Sequence, residues 1–138
     1  MKHRQPEQQL NPSLSFTVLG DLPRKSNSRR LFRNRSTGRP IIVKSAKALN
    51  YEGSFAAQVT SVSKNIFREN DKIMLSAQIY YSSRRPDLSD ELLCDLLEKT
   101  GIIHNDRALV EKHLYKGLDK DNPRVEVVLE LAKECVAC

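Results

Sequence analysis

Apolar and polar residues alternate along several stretches of the chain with the two-residue period of a half-buried β-strand. Ser13–Leu19, Ile73–Tyr81 and Arg124–Leu131 show this alternation directly. The short apolar run Pro40–Val43 and the stretch Leu109–Leu118, which carries lysines on one face, are also interpreted as strands. These stretches are the predicted strands of the fold.

Two other stretches repeat apolar residues at helical spacing. One amphipathic helix is predicted from Lys44 to about Val62. The second has a leucine-rich side and ends at Gly101, and Asp87 with Asp90 fits an N-terminal capping arrangement for it. The order strand, strand, helix, strand, helix, strand, strand predicts an α+β domain, in which two helices pack on a small mixed β-sheet.

A length of 138 residues indicates one domain. Met1–Pro12 is polar and aperiodic, so we expect a disordered leader, one domain over residues 13–132 and a flexible tail over 133–138. Three cysteines without a signal-peptide hydrophobic region favour a reduced, cytoplasmic protein. No apolar run approaches the roughly 20 residues needed to span a membrane. The terminal pair Cys135 and Cys138 lacks further ligands at zinc spacing.

Positive charge is concentrated in one part of the chain. The net charge is +6, yet Leu22–Tyr51 contains nine Lys and Arg residues and no acid, so the remainder is net negative. Such a bias favours a nucleic-acid phosphate partner, although a solvated basic loop would look the same. The candidate phosphate contacts are Arg29, Arg30, Arg39, Lys44, Arg84 and Arg85.

Carboxylates flank the leucine-rich helix. Asp87, Asp90 and Glu91 lie near its start, and Asp106 follows it. Hydrolysis of a phosphodiester benefits from a divalent metal that lowers the pKa of the attacking water, and magnesium prefers carboxylate oxygens. An ordinary helix with a solvated acidic face would carry the same residues, so the acids alone leave both interpretations open.

The run PDLSDELLCDLLEKTGIIHNDR, preceded by Gly38-Arg39-Pro40 and followed by RVEVVLE, resembles the RusA family of Holliday-junction resolvases. This resemblance implies a RusA-like fold and a homodimeric endonuclease that cuts four-way DNA junctions in recombination and repair. It implies magnesium as the cofactor, which manganese could replace. Asp106 matches the acid of the family's second motif, and Asp87 matches one acid of the helix-entry motif, as a metal ligand.

The chain departs from the family pattern at the helix entry. Ser89 stands where the second acid is expected, so Asp90 or Glu91 would have to serve as that ligand. The family also places a lysine in this helix, but this chain has none there before Lys99. Two alternatives therefore remain: a non-catalytic DNA-binding module that has lost its metal site, and a basic protein-interaction domain with an ordinary acidic helix.

Overall fold

A four-stranded mixed sheet organises the protein. The computed structural model describes residues 12–23, 29–33, 36–38 and 40–133. The elements in chain order are β1 (Ser13–Leu19), β2 (Arg29–Arg33), β3 (Pro40–Lys44), α1 (Ala46–Gln58), β4 (Ile73–Tyr81), α2 (Glu91–Lys99), a 3₁₀-helix (Asp106–Ala108), β5 (Leu109–Leu118) and β6 (Arg124–Leu131).

The strands of the main sheet follow the order β1-β6-β4-β5. β6 is antiparallel to both β1 and β4, whereas β5 is parallel to β4. A parallel neighbour needs a crossover connection, and α2 supplies it between β4 and β5. The prediction of an α+β domain with a mixed sheet and two helices is confirmed. β2 and β3 form a separate two-stranded antiparallel ribbon.

The core lies between one face of the sheet and the two helices. The alternation predicted for β4 holds, because Ile73, Leu75, Ala77, Ile79 and Tyr81 are all buried. Leucines of α2 and the aromatic residues of α1 join the same cluster. On the opposite face of β4, Gln78 is exposed and the other residues are half-buried, so the fully buried side chains of this strand lie on one face.

The helix boundaries differ from the predicted ones. α1 begins after Ser45, whose side chain accepts a hydrogen bond from the Ala48 N–H. α2 begins at Glu91 with Asp90 at the N-cap position, so Asp87 lies outside the helix and the predicted capping arrangement was wrong. The hydroxyl of Tyr81 donates to the Asp87 carbonyl and accepts from the Ser89 N–H, which holds the preceding segment in a non-helical conformation.

The basic stretch that follows β1 contains a strand that the sequence pattern did not predict. Arg29–Arg33 pairs with Pro40–Lys44, although its residues are mostly arginine. The predicted leader up to Asn11, the end of the tail from Glu134 and the terminal cysteine pair lie outside the described residues. Within the part that is described, no helix is long and apolar enough to cross a membrane.

Candidate functional site

The connection from β4 to α2 presents basic side chains at one edge of the sheet. Arg84 and Arg85 follow the end of β4 and are exposed. The ammonium of Lys116, near the end of β5, donates to the Arg84 carbonyl oxygen at 3.3 Å. Because β4 and β5 are parallel, their carboxyl ends meet at this edge, and three cationic residues are grouped there. We call Arg84, Arg85 and Lys116 the strand-end basic cluster.

The acidic segment directly after this cluster is anchored through Asp90. One of its carboxylate oxygens, Oδ2, accepts a hydrogen bond from the Cys94 thiol at 3.2 Å and lies 3.0 Å from the Lys112 ammonium on β5. The Asp90 side chain is only 15% exposed. The predicted ligand Asp90 therefore already has a cation beside it, supplied by the protein itself.

The pKa values around Asp90 follow from these contacts. Burial by itself would raise the pKa of Asp90, but the hydrogen bonds from Lys112 and Cys94 outweigh it and hold the pKa below its usual range. Burial would lower the pKa of Lys112, and the hydrogen bond to Asp90 raises it instead. Burial, reinforced by the Asp90 carboxylate, raises the pKa of Cys94 to about 12. Cys94 is therefore a protonated structural thiol at neutral pH and not a nucleophile.

Asp106 is held near the other end of α2. Its backbone N–H donates to the Glu98 carboxylate at 3.0 Å. Glu98 lies eight residues beyond Asp90, which corresponds to about 12 Å along a helix axis. Asp106 therefore begins its 3₁₀-helix at the opposite end of α2 from Asp90. Asp87 and Glu91 are exposed at the Asp90 end.

The predicted metal ligands are consequently not gathered into one cluster. In the described ranges, no three His, Cys, Asp or Glu side chains are placed so that they could hold a metal ion. The acids as arranged in one chain do not fit the magnesium site that the resemblance implies. Their assignment as ligands remains a prediction from the sequence.

The ribbon of β2 and β3 contains most of the other predicted phosphate contacts. Arg29 is the register partner of Lys44, and Arg30 is the register partner of Val43. Arg39 lies outside the described residues. A two-stranded ribbon has dimensions that fit the major groove of duplex DNA. The register therefore places basic residues of both strands side by side at one end of the ribbon.

The structure adds to the site three lysines that were absent from the phosphate contacts predicted from the sequence. Lys112 and Lys116 belong to β5, and their alternation on one face was the available signal. Lys47 lies in the first turn of α1, beside the connection after β4. Its position at a helix start without acids was also visible in the sequence, but its neighbours are distant along the chain.

No protein-family model matches the chain, and no curated protein shows a significant match.

Proposed function

We propose that this protein binds branched DNA and acts on it as a resolvase of the RusA type. The activity would be magnesium-dependent endonucleolytic cleavage of four-way junctions, carried out by a homodimer. The proposal combines the sequence resemblance with the strand-end basic cluster, and that cluster is the observation that carries it. Arg84 and Arg85 directly precede the acidic segment, so phosphates held by these arginines would lie close to the acids.

A DNA complex would add ligands that the protein alone does not provide. Magnesium in phosphate chemistry is commonly held by one or two carboxylates together with substrate phosphates and water. The resemblance nominates Asp106 and Asp87 for such contacts, but these acids lie at opposite ends of α2, so the protein alone does not bring them to one ion.

Binding without cleavage is the second candidate function. It is favoured by Asp90, which is paired with Lys112 and Cys94 instead of standing with other acids. A lysine that neutralises a former ligand is the arrangement expected of a DNA-binding module that has lost its metal site. Both candidates share the basic surfaces, so DNA binding alone does not distinguish them.

Cleavage of a labelled synthetic four-way junction provides the test, with linear duplex as the comparison and with magnesium, manganese or EDTA. A resolvase should give paired, symmetric nicks that require the metal. Asp106→Asn should keep junction binding and lose cleavage, because the variant changes one oxygen ligand and little else. Asp121→Asn, in the exposed turn before β6, is the matched control and should cleave normally.

The other outcomes would assign a different function or exclude Asp106 from the mechanism. Tight junction binding without nicks, in both metals, would establish the non-catalytic module. Cleavage by Asp106→Asn at the wild-type rate would remove Asp106 from the mechanism. Absence of any preference for branched DNA over duplex would favour the protein-interaction domain.

A further inference from the structure

A cavity of about 350 Å³ opens between the start of α1, the turn after β1 and the connection after β4. Lys47 and Arg85 contribute cationic side chains to its lining, and Asp21, Ser82 and Ser83 contribute oxygen atoms. Lys47 and Arg85 lie far apart in the sequence, and both are exposed. The fold therefore brings two positive charges and the single carboxylate of Asp21 to one concave site, which leaves the lining net positive.

The walls of the cavity are fixed by hydrogen bonds. Asp21 accepts from the Ser82 N–H at 3.0 Å through Oδ1, and its Oδ2 accepts from the Ser82 hydroxyl. Both carboxylate oxygens of Asp21 are thus engaged in tying the turn after β1 to the end of β4. The Ser83 hydroxyl accepts from the Arg85 N–H at 3.4 Å, which leaves its own proton available for donation.

The start of α1 adds to the positive potential of this site. The first turn of α1 contains no acidic residue, although acids are favoured there by the helix dipole. Lys47 lies in that turn, and Arg85 lines the same cavity from the other side. Two cations next to a positive helix end repel each other, and an anion placed between them would convert the repulsion into attraction.

We propose that this cavity binds one phosphate group of the nucleic-acid backbone, with Lys47 and Arg85 as its charge partners and the Ser83 hydroxyl as a donor. The inference rests on the proposed function and deepens it, because it selects one phosphate-binding position. The volume exceeds that of a single phosphate group, so there is room for an adjoining sugar. That extra space favours a backbone phosphate over a free phosphate ion.

Salt-dependent binding of a labelled four-way junction tests the site with Lys47→Gln, Arg85→Gln and the double variant. The slope of log affinity against log salt is about −0.9 per neutralised phosphate. Loss of this contact should make the slope shallower by about 0.9 and weaken affinity roughly eightfold at about 0.1 M salt. Because both side chains hold the same phosphate, the double variant should lose little more than either single variant.

Arg68→Gln is the matched control, since it removes one exposed positive charge at the opposite end of β4. Its slope should remain that of the wild type. If Arg68→Gln lowers the slope as much as Arg85→Gln, net charge explains the binding and the cavity is not a phosphate site. Unchanged slopes in the cavity variants would overturn the proposal while DNA binding by the wild type still stands.

A second measurement separates this inference from the proposed function. Inorganic phosphate and a mononucleotide are titrated into the full chain while amide chemical shifts are followed by NMR. If the wild type binds no DNA but phosphate shifts Lys47 and Ser83, the cavity takes free phosphate groups and the proposed function fails. If neither DNA nor phosphate affects these residues, both proposals fail. Tighter binding of the mononucleotide than of phosphate would support the sugar-sized extension of the cavity.

Discussion

The two ends of the connection from β4 to α2 differ in whether their charged side chains are paired within the protein. At its helical end, the Asp90 carboxylate is mostly buried and is paired with the Lys112 ammonium and the Cys94 thiol. At its strand end, Arg84 and Arg85 are exposed and form no ion pair within the described ranges. Only four residues lie between Arg85 and Asp90, yet the Asp90 charge is paired within the protein and the Arg85 charge faces solvent.

This difference indicates what each charge contributes. A partly buried carboxylate must be paired because desolvation would otherwise cost several kcal/mol, so Asp90 and Lys112 belong to the stability of the crossover. An exposed arginine contributes little to the stability of the folded protein. The strand-end arginines are therefore available to a partner, and leaving them unpaired in the free protein destabilises it little. Substitutions should accordingly separate stability effects at Lys112 from binding effects at Arg85.

The largest stability effect is expected for Lys112→Met. Removing the ammonium leaves the Asp90 charge mostly buried without its cation, so the free energy of unfolding should fall by about 1–2 kcal/mol. Urea denaturation at neutral pH measures it. Lys116→Met is the matched control on the same strand. Among the described residues, the Lys116 ammonium hydrogen-bonds only to a backbone carbonyl, so its loss should cost under about 0.5 kcal/mol.

A double-mutant cycle then tests whether the loss belongs to the pair. When Lys112→Met is combined with Asp90→Asn, the second substitution should recover part of the lost stability, since no buried charge remains. Additive losses would show that Lys112 acts through packing of its aliphatic stem, and the contrast between the two ends of the connection would be weaker than the distances indicate.

A smaller effect should separate two buried tyrosines. The Tyr81 hydroxyl bonds to the backbone of Asp87 and Ser89, so Tyr81→Phe should lower the free energy of unfolding by about 1 kcal/mol and loosen the acidic segment. The Tyr51 hydroxyl, by contrast, is buried and has no hydrogen-bond partner among the described residues. Tyr51→Phe should therefore be neutral or stabilising by a few tenths of a kcal/mol.

Thermal denaturation of the two variants in parallel measures this difference. Equal losses would mean that the Tyr51 hydroxyl is also satisfied in solution, for example by water. Backbone hydrogen exchange adds a local measure, because the Ser89 amide should exchange faster in Tyr81→Phe and be unaffected in Tyr51→Phe.

Sequence periodicity predicts much of this fold, and contacts between distant elements explain what it misses. The alternation in Ile73–Tyr81 predicted which side chains are buried, because a strand in contact with the core on one face must alternate. Arg29–Arg33 gives no such signal, since arginine provides no apolar period. The helix start was misplaced because Asp87 and Asp90 both suit a capping role, and the Tyr81 hydroxyl decides between them.

The candidate site was predictable only in part for the same reason. Exposed arginines beside an acidic segment can be read from the sequence. The partner of Asp90 cannot, because Lys112 lies on the next strand and meets Asp90 only after α2 has packed. Spacing likewise gave no sign that Asp106 is attached near Glu98, at the far end of the helix. Residue identity identified the acids, and the packing of α2 determined which of them can meet.

The last expected effect is a pH dependence at the helical end of the connection, where Asp90 lies. The contacts lower the pKa of Asp90 in the folded protein below the unfolded value of about 3.9, so its stabilising contribution is complete above that value. It is lost as the pH falls through the lower folded pKa, because the folded carboxylate is then protonated as well.

Wild type should exceed Asp90→Asn in unfolding free energy by about 1 kcal/mol at neutral pH. The difference should shrink below about pH 4, whereas Asp121→Asn should differ little from wild type at neutral pH because its side chain is exposed. A difference between wild type and Asp90→Asn that stays constant down to pH 2 would show that the neutral hydrogen bonds of Asp90, and not its charge, stabilise the start of α2.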